Sequence, residues 1–262
     1  MKKFGLLGND ISYSFSPMLH SKIMNIYGIS GVYDLYDVSE EELPNIIELL
    51  RASKINGLNV TIPYKIKIMD YLDEISPEAK SIGAVNCIVQ KNNKLIGYNT
   101  DYYGILDSFK KLNLTLKNKK VLILGTGGAA RTVFKILKDL NANILVATRN
   151  ITGADFFPRN LLITYSELEL KTPSGYLIIN CTPIGSKNFL NESPVSKKVV
   201  SNFKYVFDLI YNPPLTKFLS FCKIPTNSLN GLPMLITQAM KSQEIWNDKI
   251  LITTIKESLC KK

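Results

Sequence analysis

The run Val121-Leu122-Ile123-Leu124-Gly125-Thr126-Gly127-Gly128-Ala129-Ala130-Arg131 constrains this chain more than any other stretch. Four branched aliphatic residues in a row read as a strand buried on both faces. A glycine turn then reverses the chain, and small residues open a helix. Gly125 permits the sharp turn and Gly127 lets the backbone approach a pyrophosphate. The helix start presents unpaired N–H groups to that anion. Ala130 occupies the third position of the G-x-G-x-x-G/A pattern, with a strand before it and a helix after it. Such a unit belongs in an α/β fold with a parallel sheet.

The rest of the chain carries the same alternation. Strands are expected at Phe4–Gly8, Val32–Val38, Gly57–Ile62, Val121–Leu124, Asn143–Ala147, Leu177–Asn180 and Tyr205–Leu209. Val85–Gln90 and Lys94–Asn99 form a hairpin across Lys91-Asn92-Asn93. Helices are expected over Pro17–Tyr27 with Ser16 as N-cap, from a Ser39 cap to Arg51 with Glu40, Glu41 and Glu42 in its first turn, and over Tyr102–Leu112, Ala129–Leu140 and Leu232–Leu259. The stretch Thr152–Ser174 has little periodicity and reads as too short for a full helix–strand unit.

Composition excludes several classes. No apolar run reaches the roughly 18–20 residues that span a bilayer, and the basic N-terminus leads into a strand and not a signal peptide, so a cytoplasmic protein is expected. The four cysteines, Cys87, Cys181, Cys222 and Cys260, form no C-x-x-C pair, and with a single histidine no metal site is expected. They read as free, mostly buried thiols, with Cys87 and Cys181 beside the motifs below. The net charge of +10 is spread along the chain without a basic block, which argues for a solvated basic surface that attracts small anions and against nucleic-acid binding.

Polar side chains recur at strand ends. Ser14 and Ser16 stand just before a helix, where hydroxyls and dipole together suit a carboxylate; capping alone also accounts for Ser16. In Asn59-Val60-Thr61-Ile62-Pro63-Tyr64-Lys65, Pro63 ends the strand and delivers Lys65 either into a site or onto the surface. Asn86 closes Gly83-Ala84-Val85-Asn86, and Asp101 closes Gly97-Tyr98-Asn99-Thr100-Asp101. Asp101 serves either as a helix N-cap or as the partner of Lys65 in an acid–base pair acting on an alcohol or ketone oxygen. In the glycine-turn unit, the second strand ends at Thr148-Arg149 with no acid, which favours a ribose 2′-phosphate, unless Arg149 is simply solvated.

Taken in order, Gly8-x-x-Ile11-x-x-Ser14-x-Ser16-Pro17, Asn59-Val60-Thr61-x-Pro63-x-Lys65, Gly83-Ala84-Val85-Asn86, Asn99-Thr100-Asp101-x-x-Gly104, Gly125-x-Gly127-Gly128-Ala129, Asn180-x-Thr182-Pro183-x-Gly185, Asp208-x-x-Tyr211-x-Pro213 and Asn230-Gly231-x-x-Met234-Leu235-x-x-Gln238 resemble the shikimate dehydrogenase family from Phe4 to about Trp246. The resemblance implies two α/β domains flanking a cleft: a substrate domain (1–103 plus 232–262) and a Rossmann-like NADP domain (104–231), with C-terminal helices returning to the first. It implies reversible NADPH-dependent reduction of 3-dehydroshikimate to shikimate, on the route to chorismate and aromatic amino acids, by a monomer or homodimer. Ser14 and Ser16 would hold the substrate carboxylate with Tyr211 close by. Thr61, Lys65, Asn86, Asp101 and Gln238 would bind ring hydroxyls, with Lys65 as proton donor and acceptor and Asp101 orienting it. Gly125, Thr126, Gly127, Gly128, Ala129, Thr148, Arg149, Leu209 and Gly231 would contact NADP.

The chain departs from the family pattern at Asp10, Tyr13, Cys87 and Ser186, which replace the usual Pro, His, Thr and Met. After Arg149 it reads Asn150-Ile151-Thr152-Gly153, without a second basic residue for the phosphate, and the segment to Asn180 is shortened. Two rival functions follow: a quinate/shikimate dehydrogenase using NAD or both cofactors, and a non-catalytic sensor of shikimate and dinucleotide. The Lys65–Asp101 pair speaks against the sensor, since a pure binder needs no proton relay.

Overall fold

The computed structural model describes residues 1–251, which fall into two compact units, Met1–Gly104 with the chain from Ile236, and Ile105–Leu235. In the first unit the order is β1 (Lys2–Gly8), α1 (Ser16–Ile26), β2 (Gly31–Asp37), α2 (Leu43–Arg51), β3 (Gly57–Val60), β4 (Glu74–Ile75), α3 (Pro77–Ile82), β5 (Cys87–Lys91) and β6 (Lys94–Tyr98). α4 (Asp101–Lys111) leads into the second unit: β7 (Lys120–Leu124), α5 (Gly128–Asp139), β8 (Asn143–Thr148), β9 (Leu162–Thr164), α6 (Tyr165–Lys171), β10 (Gly175–Asn180), α7 (Lys197–Val200), β11 (Phe203–Asp208), α8 (Lys217–Ser220) and β12 (Ser228–Leu229). α9 (Leu232–Asn247) carries the chain back to the first unit.

Each unit is built on a six-stranded sheet, with strand orders β2-β1-β3-β5-β6-β4 and β12-β11-β10-β7-β8-β9. The second is parallel throughout. In the first, β5 runs antiparallel to both β3 and β6, and the Asn92-Asn93 turn (φ 53° and 59°) closes the tight β5–β6 hairpin. β1 and β7 are interior strands of their sheets and bury five and four consecutive residues, as strands covered on both faces do.

Four local expectations are corrected. Ser16 is not a cap; it is the first residue of α1, and the Ser14 hydroxyl accepts its backbone N–H at 3.2 Å. α2 begins at Leu43, not after Ser39, because the 39–42 segment forms turns and Pro44 then fixes the first helical turn, leaving the three glutamates outside it. Thr152–Ser174 holds a strand and a helix after all: Thr164 and Glu167 form a capping box that opens α6. That signal, Thr-x-x-Glu, was present in the sequence. α9 stops at Asn247, where Asp248 takes a positive φ of 46°, and residues 248–251 are not helical; the remainder of the expected helix, 252–259, and Cys260 lie outside the described residues.

α9 is fastened by polar contacts as much as by apolar ones. Trp246 stacks on Phe4 with ring centroids 4.7 Å apart, and its Nε1 donates to the Ile88 carbonyl at 2.9 Å. Ser242 and Gln243 are fully buried. The chain's one histidine, His20, stacks on Tyr33 at 4.0 Å, and Gln243 Nε2 lies 3.0 Å from its Nδ1. Because Gln243 Oε1 accepts from Asn247 Nδ2, Gln243 offers His20 a donor, so Nδ1 is the acceptor and the ring proton sits on Nε2. Burial pushes His20 down to about 3, against a smaller opposing contribution from Asn59.

Candidate functional site

Two backbone hydrogen bonds and one buried side chain place Lys65. β3 ends at Val60, and Thr61 N–H donates to the Leu7 carbonyl, pinning the loop to β1. Tyr64 is 2% exposed and its hydroxyl donates to the Val38 carbonyl at 2.7 Å, so the residue before the lysine is an anchor. The Lys65 carbonyl accepts from Val85 N–H at 2.7 Å. With its neighbour buried and its own backbone held, the lysine turns inward, and its side chain is 15% exposed.

Its partner is Asp101. Lys65 Nζ donates to Asp101 Oδ2 at 2.6 Å, and the carboxylate side chain is 5% exposed. Asp101 is therefore not spent as a helix cap. Asn99 Oδ1 does that work, accepting Tyr102 N–H at 3.2 Å. The second oxygen of Asp101 accepts from Asn86 Nδ2 at 2.9 Å. Asn86 Oδ1 in turn accepts the Thr100 backbone N–H at 2.6 Å, which fixes the orientation of the Asn86 amide. Lys65, Asp101 and Asn86 thus form one array with a donor on each carboxylate oxygen. Gln238, on α9, joins it through Thr100, whose hydroxyl lies 3.4 Å from Gln238 Oε1.

Ser14 and Ser16 form a pair at the start of α1, with Ser14 Oγ donating to Ser16 Oγ at 3.1 Å. They and Thr61 belong to the same unit as the lysine array. Sequence reasoning passed over Tyr33 and Ser242, whose hydroxyls extend the array: Tyr33 donates to Asn59 Oδ1 at 3.0 Å, and Asn59 Nδ2 donates to Ser242 Oγ at 2.8 Å. The signal for Ser242 was its spacing, four residues after Gln238 on one helix face. Cys87 lies against Ser242 and Trp246, and burial pushes its thiol up to about 12. Burial raises the Cys181 thiol as well.

In the second unit the glycine turn has the shape an anion needs. Gly125 adopts φ +101°, and a Cβ at Gly127 would meet nothing within 4 Å, so the space over the turn is open. α5 starts at Gly128 with no side chain capping it, which leaves its first N–H groups for a phosphate. Thr126, Gly128 and Ala129 surround this start; Thr148, buried, ends the neighbouring strand β8, and Arg149, exposed, follows it. After Arg149 the chain satisfies itself: Asn150 Oδ1 accepts from Thr152 N–H at 3.0 Å and from its hydroxyl at 2.6 Å. Leu209 and Gly231 meet at the end of β11, where a Cβ on Gly231 would fall 2.0 Å from the Leu209 carbonyl oxygen. Beside them Asp208 accepts from Thr216 Oγ1, Asn180 Nδ2 and Ile210 N–H, yet burial outweighs these bonds and pushes it up to about 6. Tyr211 follows in the next loop of the same unit. Among the described residues no group of three or more His, Cys, Asp or Glu could hold a metal ion, and no helix is long and apolar enough to cross a membrane.

Residues 6–88 match the shikimate dehydrogenase substrate binding domain. Shikimate dehydrogenase (NADP(+)) of Clostridium beijerinckii is 41% identical over 253 residues, covering 95% of this chain and 93% of its own. The chain belongs to the shikimate dehydrogenase family. The crystal structure of shikimate dehydrogenase 1 from Peptoclostridium difficile superposes with a TM-score of 0.91 at 41% identity, covering 99% of this chain and 96% of the other. Shikimate 5-dehydrogenase from Thermus thermophilus, in complex with NADP(H) and shikimate, gives a TM-score of 0.84 at 29% identity, covering 99% and 98%. These neighbours carry the two-domain α/β architecture of the family over essentially the whole chain.

Proposed function

We propose that this family member reduces 3-dehydroshikimate to shikimate reversibly with NADPH, and that Lys65 is its proton donor and acceptor. The observation that carries the reading is the largely buried Lys65–Asp101–Asn86 array, in which an ammonium is held at 2.6 Å by a carboxylate that is itself fixed from the other side. A lysine of this kind hands a proton to a carbonyl oxygen and takes it back in the reverse direction. Ser14 and Ser16 hold the substrate carboxylate at the start of α1, where the hydroxyls rotate to donate to it. Thr61, Asn86, Asp101 and Gln238 take the ring hydroxyls, and Tyr211, from the second unit, is assigned to the substrate carboxylate. The first unit, residues 1–104 with the chain from Ile236, is read as the substrate domain and the second, residues 105–235, as the cofactor domain.

The open turn at Gly127 and the uncapped α5 fit a pyrophosphate, and Arg149, exposed just after β8, is the cation assigned to the 2′-phosphate. When bound, NADPH supplies the hydride. Gly125, Thr126, Gly128 and Ala129 shape the phosphate turn, and Thr148, Leu209 and Gly231 line the cofactor's remaining length. Lys65 delivers its Nζ proton to the carbonyl oxygen as the alcohol forms, and Asp101 keeps Nζ aimed at that oxygen throughout. The enzyme works in the cytoplasm as a monomer or homodimer. With only Arg149 to mark the phosphate, quinate and NAD remain the rival substrate and cofactor. Initial rates with shikimate and quinate, each with NADP and NAD, separate the readings. Lys65→Ala tests the lysine: turnover is lost while shikimate affinity stays within about tenfold, or about 1.4 kcal/mol. Near-normal turnover in that variant would overturn the assignment.

A further inference from the structure

We infer that Ser242 is a positioning residue of the active site, acting through Thr100 on Asn86 and Gln238; this rests on the function proposed above. Ser242 is fully buried on α9, one turn after Gln238, and besides the Cys87 thiol it meets three polar groups. Its hydroxyl donates to the Gln238 carbonyl at 2.9 Å, accepts from Asn59 Nδ2 at 2.8 Å, and lies 3.2 Å from Thr100 Oγ1.

The proton count fixes the direction of the chain. The single Ser242 proton is committed to the Gln238 carbonyl, so the hydroxyl meets Thr100 as an acceptor and Thr100 donates. That leaves a Thr100 lone pair facing Asn86 Nδ2 at 3.0 Å. The other Asn86 N–H is the one on Asp101, and Asp101 holds Lys65. Without the serine hydroxyl, the Thr100 proton has two other acceptors, Asn86 Oδ1 at 3.2 Å and Gln238 Oε1 at 3.4 Å. Either choice disturbs a side chain that receives substrate. The first turns the threonine lone pairs away from Asn86, and the second ties up the Gln238 carboxamide. Asn59 loses one of its two acceptors at the same time, keeping only the Asn86 carbonyl at 3.2 Å.

Removal of the hydroxyl therefore reaches the chemistry more than the cofactor. Ser242→Ala is expected to lower kcat about tenfold while the KM for NADP stays within about twofold, and Ser242→Thr, which retains a hydroxyl, is expected to recover kcat to within about twofold of the parent. Thr100→Val removes the next hydroxyl at constant shape. Because the two act in one chain, the double variant should be no more than about twofold slower than Thr100→Val alone. Folding is checked in each variant by Trp246 fluorescence. A folded Ser242→Ala enzyme with unchanged kcat overturns the inference, as do losses that multiply in the double variant. Absence of shikimate-dependent NADP reduction by the parent protein would instead refute the proposed function, and this inference with it.

Discussion

Asp101→Asn is the most searching perturbation of the site, because it keeps the volume and changes only the donor–acceptor pattern. In the native structure both carboxylate oxygens accept, one from Lys65 Nζ at 2.6 Å and the other from Asn86 Nδ2 at 2.9 Å. A carboxamide has one oxygen and one NH2 group. Whichever way it turns, it faces one of those donors with a donor of its own. An unpaired donor in this setting costs about 1–3 kcal/mol. Loss of the ionic partner adds to it: removing one member of a buried ion pair costs about 3–5 kcal/mol, discounted here because the lysine side chain retains 15% exposure. About 3 kcal/mol is the expected loss of stability in the first unit. Trp246, the one tryptophan, lies in that unit and is 6% exposed, so its fluorescence in a urea titration follows the unfolding that matters. With a urea slope of about 1–3 kcal/mol/M the midpoint should fall by roughly 1 M or more. The same variant should lose about a hundredfold in kcat, the lower end for a misplaced acid–base group. A stability change under about 0.5 kcal/mol together with kcat within about fivefold of the parent would refute the reasoning.

Three other expectations concern separate parts of the molecule. Arg149→Ala should raise the KM for NADPH by at least about tenfold more than the KM for NADH; equal changes in steady-state kinetics would remove the 2′-phosphate role. Gly231→Ala forces a Cβ to within 2.0 Å of the Leu209 carbonyl oxygen, a backbone atom with little room to give, so the KM for NADPH should rise while calorimetric shikimate affinity holds; an unchanged KM would show that this approach is not needed. His20, held at about 3, is neutral when folded and binds a proton near pH 6.5 when unfolded, so its contribution to stability is complete above about pH 6.5 and is lost as the pH falls toward 3. Its ring resonance in proton NMR should stay in one position from pH 8 to 5, and a midpoint near 6.5 in the folded protein would contradict the packing described.

How much was legible in advance follows from the range over which each feature is determined. The glycine turn was legible because strand, turn and helix start are set within a dozen neighbouring residues, and positive φ at Gly125 is a local requirement. The hairpin at Asn92-Asn93 was legible for the same reason. Local rules failed where two of them competed. Ser16 satisfies the preference for a cap, yet it is the first residue of α1 with its own N–H accepted by Ser14 Oγ, and Pro44 overrides the Ser39 signal by fixing the first turn of α2. The α6 capping box was present in the letters and was passed over because the segment around it is too short to show a period.

The sequence by itself determined the α/β class, the glycine turn and the residue types able to bind an anion or move a proton. It left Lys65 divided between surface and site, and Asp101 divided between cap and partner. Only the tertiary structure decided both. Tyr64 is buried and Asn99 takes the helix N–H, so Lys65 turns inward and the Asp101 carboxylate is left for it, 36 residues along the chain. The spacing of Ser242 from Gln238 was visible in the sequence, but its reach to Asn59, 183 residues away, was not. A hydrogen bond is set by distance and proton count in space, and no local pattern of residues encodes which distant acceptor a buried donor will find.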